Sequence, residues 1–323
     1  MSTVSTALLF IVMAAAAPSG VAQSHSIRPV RLVSPFTASS GVDIVARTVA
    51  QKLAAEWGQP VVVDNIAGAG GILGTAVVAR SHGDGHTLLV TSCAHTVNPV
   101  MYRNLPYDTF KDFVEVAPLA KLAQVLVVAP SVGVRSVSDL IAIAKDRPGQ
   151  LNFASPGTGS GVHLTGEKFR LAAGIHVVHL PYKGGADVVT GRVTYWIPPI
   201  GAALPYIQGG KLLALAVTTG ERSELLPQVG TMAEAGMVGF DESLWFGMWA
   251  PASTPAVVIS KLASDVSHAV QSPEVRHELS KMSAEAMIMT QTEFSRFARN
   301  EAAAAARIAE VAIVKPQYFA RPH

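Results

Sequence analysis

Two similar segments rich in small hydroxyl residues are the part of the sequence best suited to chemistry. The first turn, residues 34–43, reads Ser-Pro-Phe-Thr-Ala-Ser-Ser-Gly-Val-Asp, and the second turn, residues 155–163, reads Ser-Pro-Gly-Thr-Gly-Ser-Gly-Val-His. Each connects a predicted strand to a predicted helix and so places hydroxyls and backbone N–H groups at a helix N-terminus. The N–H groups there lack intrahelical acceptors, and the helix dipole adds about half a positive charge. The pair therefore predicts an anion site that needs no Lys or Arg.

A simpler interpretation is that these hydroxyls are ordinary N-caps, since Ser and Thr are common wherever helices begin. Both turns, however, carry more hydroxyls than capping requires, and they match in composition. If the turns belong to two lobes that face each other, they converge on one ligand at the carboxyl ends of the strands. The anion site is therefore the interpretation that we carry forward.

Other motifs predict structure more than chemistry. The stretch 68–74 resembles a dinucleotide fingerprint, but Leu73 replaces the required last glycine, which favours a close-packed turn. His176 and His179 are three apart on a predicted strand, so they point to opposite faces and do not share a metal. His95 follows a strand end, where it could reach a cleft or make a structural hydrogen bond. We expect neither a metal nor a cofactor, and the single cysteine, Cys93, excludes a disulfide framework and a thiolate metal site.

The composition is that of a globular protein without a polyanionic partner. Hydrophobic residues make up 49% of the chain and charged residues 15%, which excludes intrinsic disorder. The formal net charge is +2, and no window holds a cluster of Lys and Arg. We therefore expect no nucleic acid among the partners.

The N-terminus has the pattern of a secretory signal. Residues 1–22 contain no charged side chain, and an unbroken apolar run covers 7–17. A membrane helix needs about 20 apolar residues, so this run fits the core of a signal peptide, although the usual Lys or Arg before it is missing. We expect a signal peptide at 1–22, cleavage after Ala22, and a mature protein in the periplasm.

Strand and helix patterns alternate along the rest of the chain. Strands are predicted at 30–34, 61–64 and 87–91, and a second set at 125–129, 151–154, 176–180 and 212–218. Such βαβ runs indicate mainly parallel sheets flanked by helices. From residue 255 the pattern is helical, and the aromatic stretch 245–255 is predicted to be a crossover. Patterning leaves two arrangements open: tandem domains, or a first lobe that the C-terminus completes.

Several ordered blocks of the chain match one protein family. They are Pro-Val-Arg-Leu-Val at 29–33, Val-Asp-Ile-Val-Ala-Arg at 42–47, Gly-Gln-Pro-Val-Val-Val at 58–63, Asp-Gly-His-Thr-Leu-Leu at 84–89, Asn-Pro at 98–99, Leu-Pro-Tyr-Asp at 105–108, Leu-Asn-Phe-Ala-Ser at 151–155, His-Leu-Pro-Tyr-Lys-Gly-Gly at 179–185 and Leu-Ala-Leu-Ala-Val-Thr at 213–218. Over residues 27–316 the sequence resembles the Bug-type extracytoplasmic solute receptors, the substrate-binding proteins of tripartite tricarboxylate transporters.

The resemblance implies an α/β fold of two lobes, the type II-like periplasmic-binding-protein fold, in which the C-terminal helices pack on the first lobe. Residues 23–124 plus 244–323 would form lobe 1 and residues 125–243 lobe 2. It also implies a monomeric binding protein, not an enzyme, that captures a small carboxylate, such as a dicarboxylate, a tricarboxylate, an amino acid or an aromatic acid. The receptor would deliver this ligand to the membrane permease subunits of the transporter.

By position, the resemblance places the ligand in the two turns and in the stretch 92–98. The ligand-binding residues that it implies are Phe36, Thr37, Ala38, Ser39, Ser40, Asp43, Ser92, His95, Asn98, Ser155, Thr158, Gly159, Ser160 and His163. An acidic residue near the ligand, such as Asp43 or Asp187, would be expected if the ligand carried an ammonium group.

The chain departs from the family pattern at three places. Ser39 and Ser40 stand where the family has glycines, the segment 185–192 is about four residues shorter, and Thr194 replaces an aspartate. These departures leave open whether binding is preserved.

Three alternatives use the same residues differently. The closed receptor could serve a membrane sensor kinase instead of a permease, or the chain could be an orphan receptor with a weakened second lobe. A secreted hydrolase would need a hydroxyl in hydrogen-bonding reach of His95 or His163, with an acid to orient the base.

Overall fold

The computed structural model describes residues 28–38, 40–155, 157, 159–181, 186–311 and 317–318. The expected signal peptide therefore lies outside the described residues, as do Ser39 and Thr158. Within the described ranges, no helix combines the length and the apolar character that crossing a bilayer requires.

Strands and helices alternate much as the sequence predicts. The strands are β1 (Val30–Ser34), β2 (Val61–Asn65), β3 (Thr87–Ser92), β4 (Tyr102–Arg103), β5 (Phe113–Ala123), β6 (Val125–Val128), β7 (Asn152–Ser155), β8 (Val178–Pro181), β9 (Tyr195–Trp196), β10 (Leu213–Val217), β11 (Ser243–Pro251), β12 (Ala284–Ala286) and β13 (Gln317–Tyr318). The α-helices are α1 (Gly41–Trp57), α2 (Ile72–Ala79), α3 (Ala94–Met101), α4 (Val137–Asp146), α5 (Gly161–Ala173), α6 (Ala186–Val189), α7 (Ile200–Gln208), α8 (Ala256–Gln271), α9 (Pro273–Ser280) and α10 (Gln291–Val311).

The first sheet has six strands in the order β12-β5-β11-β3-β1-β2. Its β1, β2 and β3 are parallel, as predicted, whereas β5, β11 and β12 pair antiparallel. None of the three antiparallel strands β5, β11 and β12 was predicted as a strand, and β12 lies in the part of the chain that was predicted to be helical. In β5 the proline Pro118 hides the pattern, and it is tolerated because the ladder shifts register beside it.

The second sheet has five strands in the order β10-β6-β9-β7-β8. The predicted strands at 125–129, 151–154, 176–180 and 212–218 correspond to β6, β7, β8 and β10, and only the two-residue strand β9 was missed. Here β7 pairs parallel with β8 and β9, and β6 pairs antiparallel with β9 and β10.

The chain passes between the sheets at Gln124 and returns at the start of β11. Gln124 is fully buried, accepts a hydrogen bond from Thr165 Oγ1 at 2.8 Å, and donates one to the carbonyl of Ile197 at 2.7 Å. The predicted crossover at 245–255 is therefore a central strand of the first sheet for most of its length.

The C-terminal helices pack against the first sheet. Helices α8 and α9 contact α1, and α8 and α10 contact β5. The predicted cap Ser272 accepts from the Val275 N–H and starts α9 at Pro273, while α8 begins at Ala256, after Pro255 and not at the predicted Ser253 or Thr254. The tail therefore completes the half of the molecule in which the chain began.

The shortened segment 185–192 contains only the four-residue α6. Val188 is nonetheless fully buried in the core of the second sheet. Thr194 exchanges hydrogen bonds with Asn152, its N–H donating to Oδ1 at 2.8 Å. The threonine in place of aspartate thus joins the ends of β7 and β9.

Candidate functional site

The first turn leads from β1 into α1 through a serine cap. Ser40 has φ −68° and ψ 160°, and its Oγ accepts from the N–H of Asp43 at 3.3 Å. Its own N–H donates to the carbonyl of Thr37 at 3.2 Å. These contacts do not use the N–H groups of the first two helical residues, Gly41 and Val42.

The second turn leads from β7 into α5 and repeats this geometry. Ser160 has φ −67° and ψ 154°, its Oγ accepts from the N–H of His163 at 3.2 Å, and its N–H donates to the carbonyl of Gly157 at 3.2 Å. The N–H groups left over belong to Gly161 and Val162, the same residue types as in the first turn.

Both helix N-termini lie against one face of β11. A Cβ on Gly41 would lie 3.4 Å from Cζ of Phe246, and a Cβ on Gly161 would lie 1.9 Å from Cδ2 of Leu244. Leu244 and Phe246 are two apart in the strand, so they point to the same face and are roughly 7 Å apart along it. The structure therefore brings the two turns together through Gly41 and Gly161, which were not among the predicted ligand residues.

Asp43 belongs to a polar network beneath the first turn. Its side chain is 4% exposed and accepts from Arg47 Nε at 3.0 Å and from Asn65 Nδ2 at 2.8 Å. Asn65 Nδ2 also lies 3.1 Å from the carbonyl of Phe36. The carboxylate thus holds the turn through a cationic and an amide partner. Asn65 was missed, although its position at the end of a predicted strand was a signal.

The glycine-rich stretch 68–74 supports the first turn, as its close-packed interpretation predicts. A Cβ on Gly74 would lie 2.7 Å from the carbonyl oxygen of Ile66, and one on Gly71 would lie 3.3 Å from the ring of Phe36. Phe36 is half-buried, while Thr37 and Ala38 are exposed.

His95 lies away from the turns, in an aromatic part of the first core. It is 1% exposed, with its ring 4.8 Å from that of Phe113, 5.0 Å from that of Trp249 and 6.0 Å from that of Tyr107. Neither ring nitrogen has a hydrogen-bonding partner within the described residues, and burial lowers the pKa of His95 to about 3. The expectation that His95 reaches the cleft or makes a structural hydrogen bond is therefore corrected.

The other two predicted residues of the stretch 92–98 differ in position. Ser92 is opposite Phe246 in the sheet and half-buried, so it lies beside the site. Asn98 is buried, and its Nδ2 lies 3.4 Å from both the Gly70 carbonyl and Tyr107 Oη. Asn98 therefore supports the glycine-rich stretch beneath the first turn.

Ser155 and His163 of the second turn are both buried. Ser155 Oγ lies 2.7 Å from Nε2 of His179, and His163 Nδ1 accepts from the N–H of Gly159 at 3.3 Å. Within the described ranges, Ser155 therefore pairs with His179 and not with either predicted histidine. Among the described residues no carboxylate contacts His179, and Ser155 is 1% exposed, so the pair lacks the orienting acid and the access of a hydrolase.

The chain is similar to known solute receptors over most of its length. A family model described as "Tripartite tricarboxylate transporter family receptor" matches residues 45–313. The protein BugT of Bordetella pertussis is 36% identical over 299 residues, which cover 91% of this chain and 92% of BugT. A solved structure of R. palustris Rpa4515 with adipate is 32% identical, covers 90% of this chain and 99% of its own, and superimposes with a TM-score of 0.78. The periplasmic binding protein BugD is 29% identical, with the same two coverages and a TM-score of 0.75.

Proposed function

Because the chain belongs to the family of tripartite tricarboxylate transporter receptors, we propose that it captures a small carboxylate between the N-termini of α1 and α5. The resemblance read from the sequence and the two-lobed periplasmic-binding-protein fold are confirmed. The receptor role follows from the family, and the residues that hold the ligand are our proposal.

The observation that carries the proposal is the placement of both serine-capped helix starts on one face of β11. The N–H groups of Gly41, Val42, Gly161 and Val162 are the donors that capping leaves over. Backbone N–H groups at two helix ends suit a carboxylate, because the two dipoles add positive potential without a buried cation. Ser39 and Thr158, which lie outside the described residues, stay predicted ligand residues by their positions in the sequence of the two turns.

Binding is coupled to lobe closure in this proposal. We retain the lobe boundaries 23–124 with 244–323 and 125–243, and the two chain passages beside Gln124 and Ser243 support them. A carboxylate that contacts both turns has more partners in the closed form, so it shifts the population towards closure by its difference in affinity. The two passages would act as the hinge.

We propose a dicarboxylate as the ligand class. The R. palustris relative contains adipate, a linear dicarboxylate, and overlaps this chain over 90% of its length. The mature receptor would work in the periplasm after cleavage of residues 1–22 and would pass its ligand to membrane permease subunits. BugD, a periplasmic binding protein of the same fold, supports that location.

Calorimetric titration of the mature chain tests the function. The panel is acetate, succinate, malate, adipate, citrate, glutamate and benzoate, and we expect saturable one-site binding of at least one dicarboxylate. Small-angle X-ray scattering with that ligand should show a smaller radius of gyration. A folded protein that binds no member of the panel would refute the proposal.

A further inference from the structure

Two histidines lie side by side beneath the second turn. The ring centroids of His163, in the first turn of α5, and His179, on β8, are 4.2 Å apart, and both rings contact Phe153. We propose that His163 and His179 are positioning residues, which hold the second turn in its ligand-binding shape without touching the ligand. The proposal rests on the binding function proposed above and adds the groups that maintain half of its site.

His179 acts on the turn through Ser155. Ser155 Oγ accepts from the Gly157 N–H at 3.1 Å, lies 3.1 Å from the Gly157 carbonyl, and lies 2.7 Å from His179 Nε2. A hydroxyl has one proton and two lone pairs. The Gly157 carbonyl also accepts from Ser160 Oγ at 2.7 Å and shares its lone pairs among these donors. With the Ser155 proton on that carbonyl, the remaining lone pair of Ser155 can only accept, so His179 must donate from Nε2. A proton on Nε2 is therefore the one arrangement that makes all three contacts hydrogen bonds.

His163 acts on the same turn as an acceptor. Its Nδ1 receives the N–H of Gly159 at 3.3 Å, so Nδ1 carries no proton and the neutral ring carries its proton on Nε2. That nitrogen lies 4.0 Å from Glu167 Oε1. His179 thus donates to Ser155, which holds Gly157, and His163 accepts directly from Gly159 of the same turn.

The glycines need this support because of their backbone shape. Gly157 has φ 151° and Gly159 has φ 83°, conformations that belong to glycine and that carry no side-chain packing of their own. Gly159 also contacts the other half of the molecule, since a Cβ there would lie 3.4 Å from Cγ of Met101. A turn that loses its hydrogen bonds to His163 and His179 can sample other shapes and would present the α5 N-terminus for less of the time.

The first turn is held differently, which makes the proposal specific. Its polar network consists of Asp43, Asn65 and Arg47 and contains no histidine. Changes at His163 and His179 should therefore disturb one turn and leave the other intact.

Nitrogen NMR of the ligand-free protein, labelled with ¹⁵N-histidine, tests the hydrogen bonds directly. We expect both rings to be neutral at pH 7 with the proton on Nε2. A proton on Nδ1 of either ring would overturn the role of that histidine. This measurement needs no ligand, so it decides the positioning role even if the proposed binding function fails.

Matched substitutions test the consequence for binding, with succinate, malate and adipate as probes. His179→Gln keeps a donor near the Nε2 position and His163→Asn keeps an acceptor near the Nδ1 position, whereas His179→Leu and His163→Leu keep neither. We expect the Leu variants to bind at least tenfold more weakly than the wild type, and the Gln and Asn variants to stay within about threefold. His176→Leu, at an exposed neighbouring position, is the control and should bind like the wild type. Leu variants that bind as tightly as the wild type, or Gln and Asn variants as weak as the Leu variants, would overturn the proposal.

Discussion

Gly41 and Gly161 hold equivalent positions at the starts of α1 and α5, yet their surroundings differ sharply. A Cβ on Gly41 would meet Phe246 at 3.4 Å and Met282 Cε at 3.7 Å, both ordinary contacts, whereas a Cβ on Gly161 would overlap Leu244 at 1.9 Å and press on Cys93 Sγ at 3.0 Å. The first position therefore has room for a side chain and the second has none. The α1 half of the site can therefore be tested by removing an N–H group at Gly41. The α5 half can be tested by adding a methyl group at Gly161.

Replacing Gly41 with proline should remove one ligand hydrogen bond without disturbing the helix. Proline is favoured at the first helical position, and the extended Ser40 before it suits a following proline. A hydrogen bond to a charged group contributes about 1.5–3 kcal/mol, so Gly41→Pro should weaken carboxylate binding roughly tenfold to a hundredfold. Calorimetric titration measures the change.

The matched control is Gly41→Ala, which adds a Cβ at the same place and keeps the N–H. It should bind within about threefold of the wild type and melt at a similar temperature. Equal affinities for the Pro and Ala variants would show that the Gly41 N–H does not contact the ligand.

Replacing Gly161 with alanine should strain the contact between the two halves of the molecule. Overpacking of this kind typically costs about 1–3 kcal/mol, and here it would also push the start of α5 off β11. We expect a lower urea midpoint together with weaker binding. The double variant Gly161→Ala/Leu244→Ala supplies the check, because its loss of stability should be clearly smaller than the sum of the single losses. Simple additivity would mean that the two residues do not meet.

The sequence predicted both strand-to-helix turns and just over half of the strands, because these depend on local patterns of apolar and hydroxyl residues. Capping by Ser40 and Ser160 corresponds to the simpler interpretation of the turns, which was set aside. The sequence did not predict that β5 and β11 would be strands. Pro118 and the aromatic stretch around Trp245 have no alternating pattern, and only pairing with distant strands makes them extended. The contact of Gly161 with Leu244 could not be read from the sequence for the same reason.

The histidines show more clearly what the sequence alone does not predict. His95 stood at a strand end that looked open to a cleft, but Tyr107, Phe113 and Trp249 enclose it from three later segments of the chain. The spacing of His176 and His179 excluded a shared metal, but it did not show that His179 pairs with Ser155, 24 residues earlier. The role of a histidine thus depends on long-range contacts that composition and spacing do not contain.

His95 provides a test of both its burial and its absence from the site. Burial lowers its pKa to about 3 from an ordinary 6.5, so the folded protein holds the ring neutral. Its contribution to stability is complete above pH 6.5 and is lost as the pH falls towards 3, since the unfolded chain then binds the extra proton. At pH 5 the loss is about 2 kcal/mol.

His95→Leu removes the loss of stability at low pH, and it also removes a buried polar ring that has no hydrogen-bonding partner among the described residues. We expect the urea midpoint of the variant to fall less between pH 7 and pH 5 than that of the wild type, while carboxylate affinity at pH 7 stays the same. His277→Leu, in an exposed helix position, is the control and should leave the pH dependence unchanged. A large loss of affinity in His95→Leu would return His95 to the site.

A charged cluster beside the site joins α5, the segment before β11, and α10. Lys168 of α5 lies 2.5 Å from Glu242, which precedes β11, and 3.6 Å from Glu301 of α10, and its side chain is 15% exposed. Burial works to lower the pKa of Lys168, but the charges of Glu242 and Glu301 outweigh it and raise that pKa. The lysine is therefore charged and holds two carboxylates together.

Lys168→Met should be strongly destabilising, because it keeps the aliphatic stem and leaves two half-buried carboxylates with no cation between them. Loss of one partner from a buried ion pair typically costs about 3–5 kcal/mol, and we expect the lower part of that range because the cluster is partly exposed. Glu301→Gln in the same chain should recover part of the loss by removing one of the two repelling charges. The control is Lys261→Met, whose exposed pair with Asp265 should contribute about 0.5 kcal/mol or less. The measurement is urea unfolding at pH 7 of the wild type, Lys168→Met, Lys168→Met/Glu301→Gln and Lys261→Met. Equal losses of unfolding free energy for Lys168→Met and Lys261→Met would show that the cluster does not join the two halves.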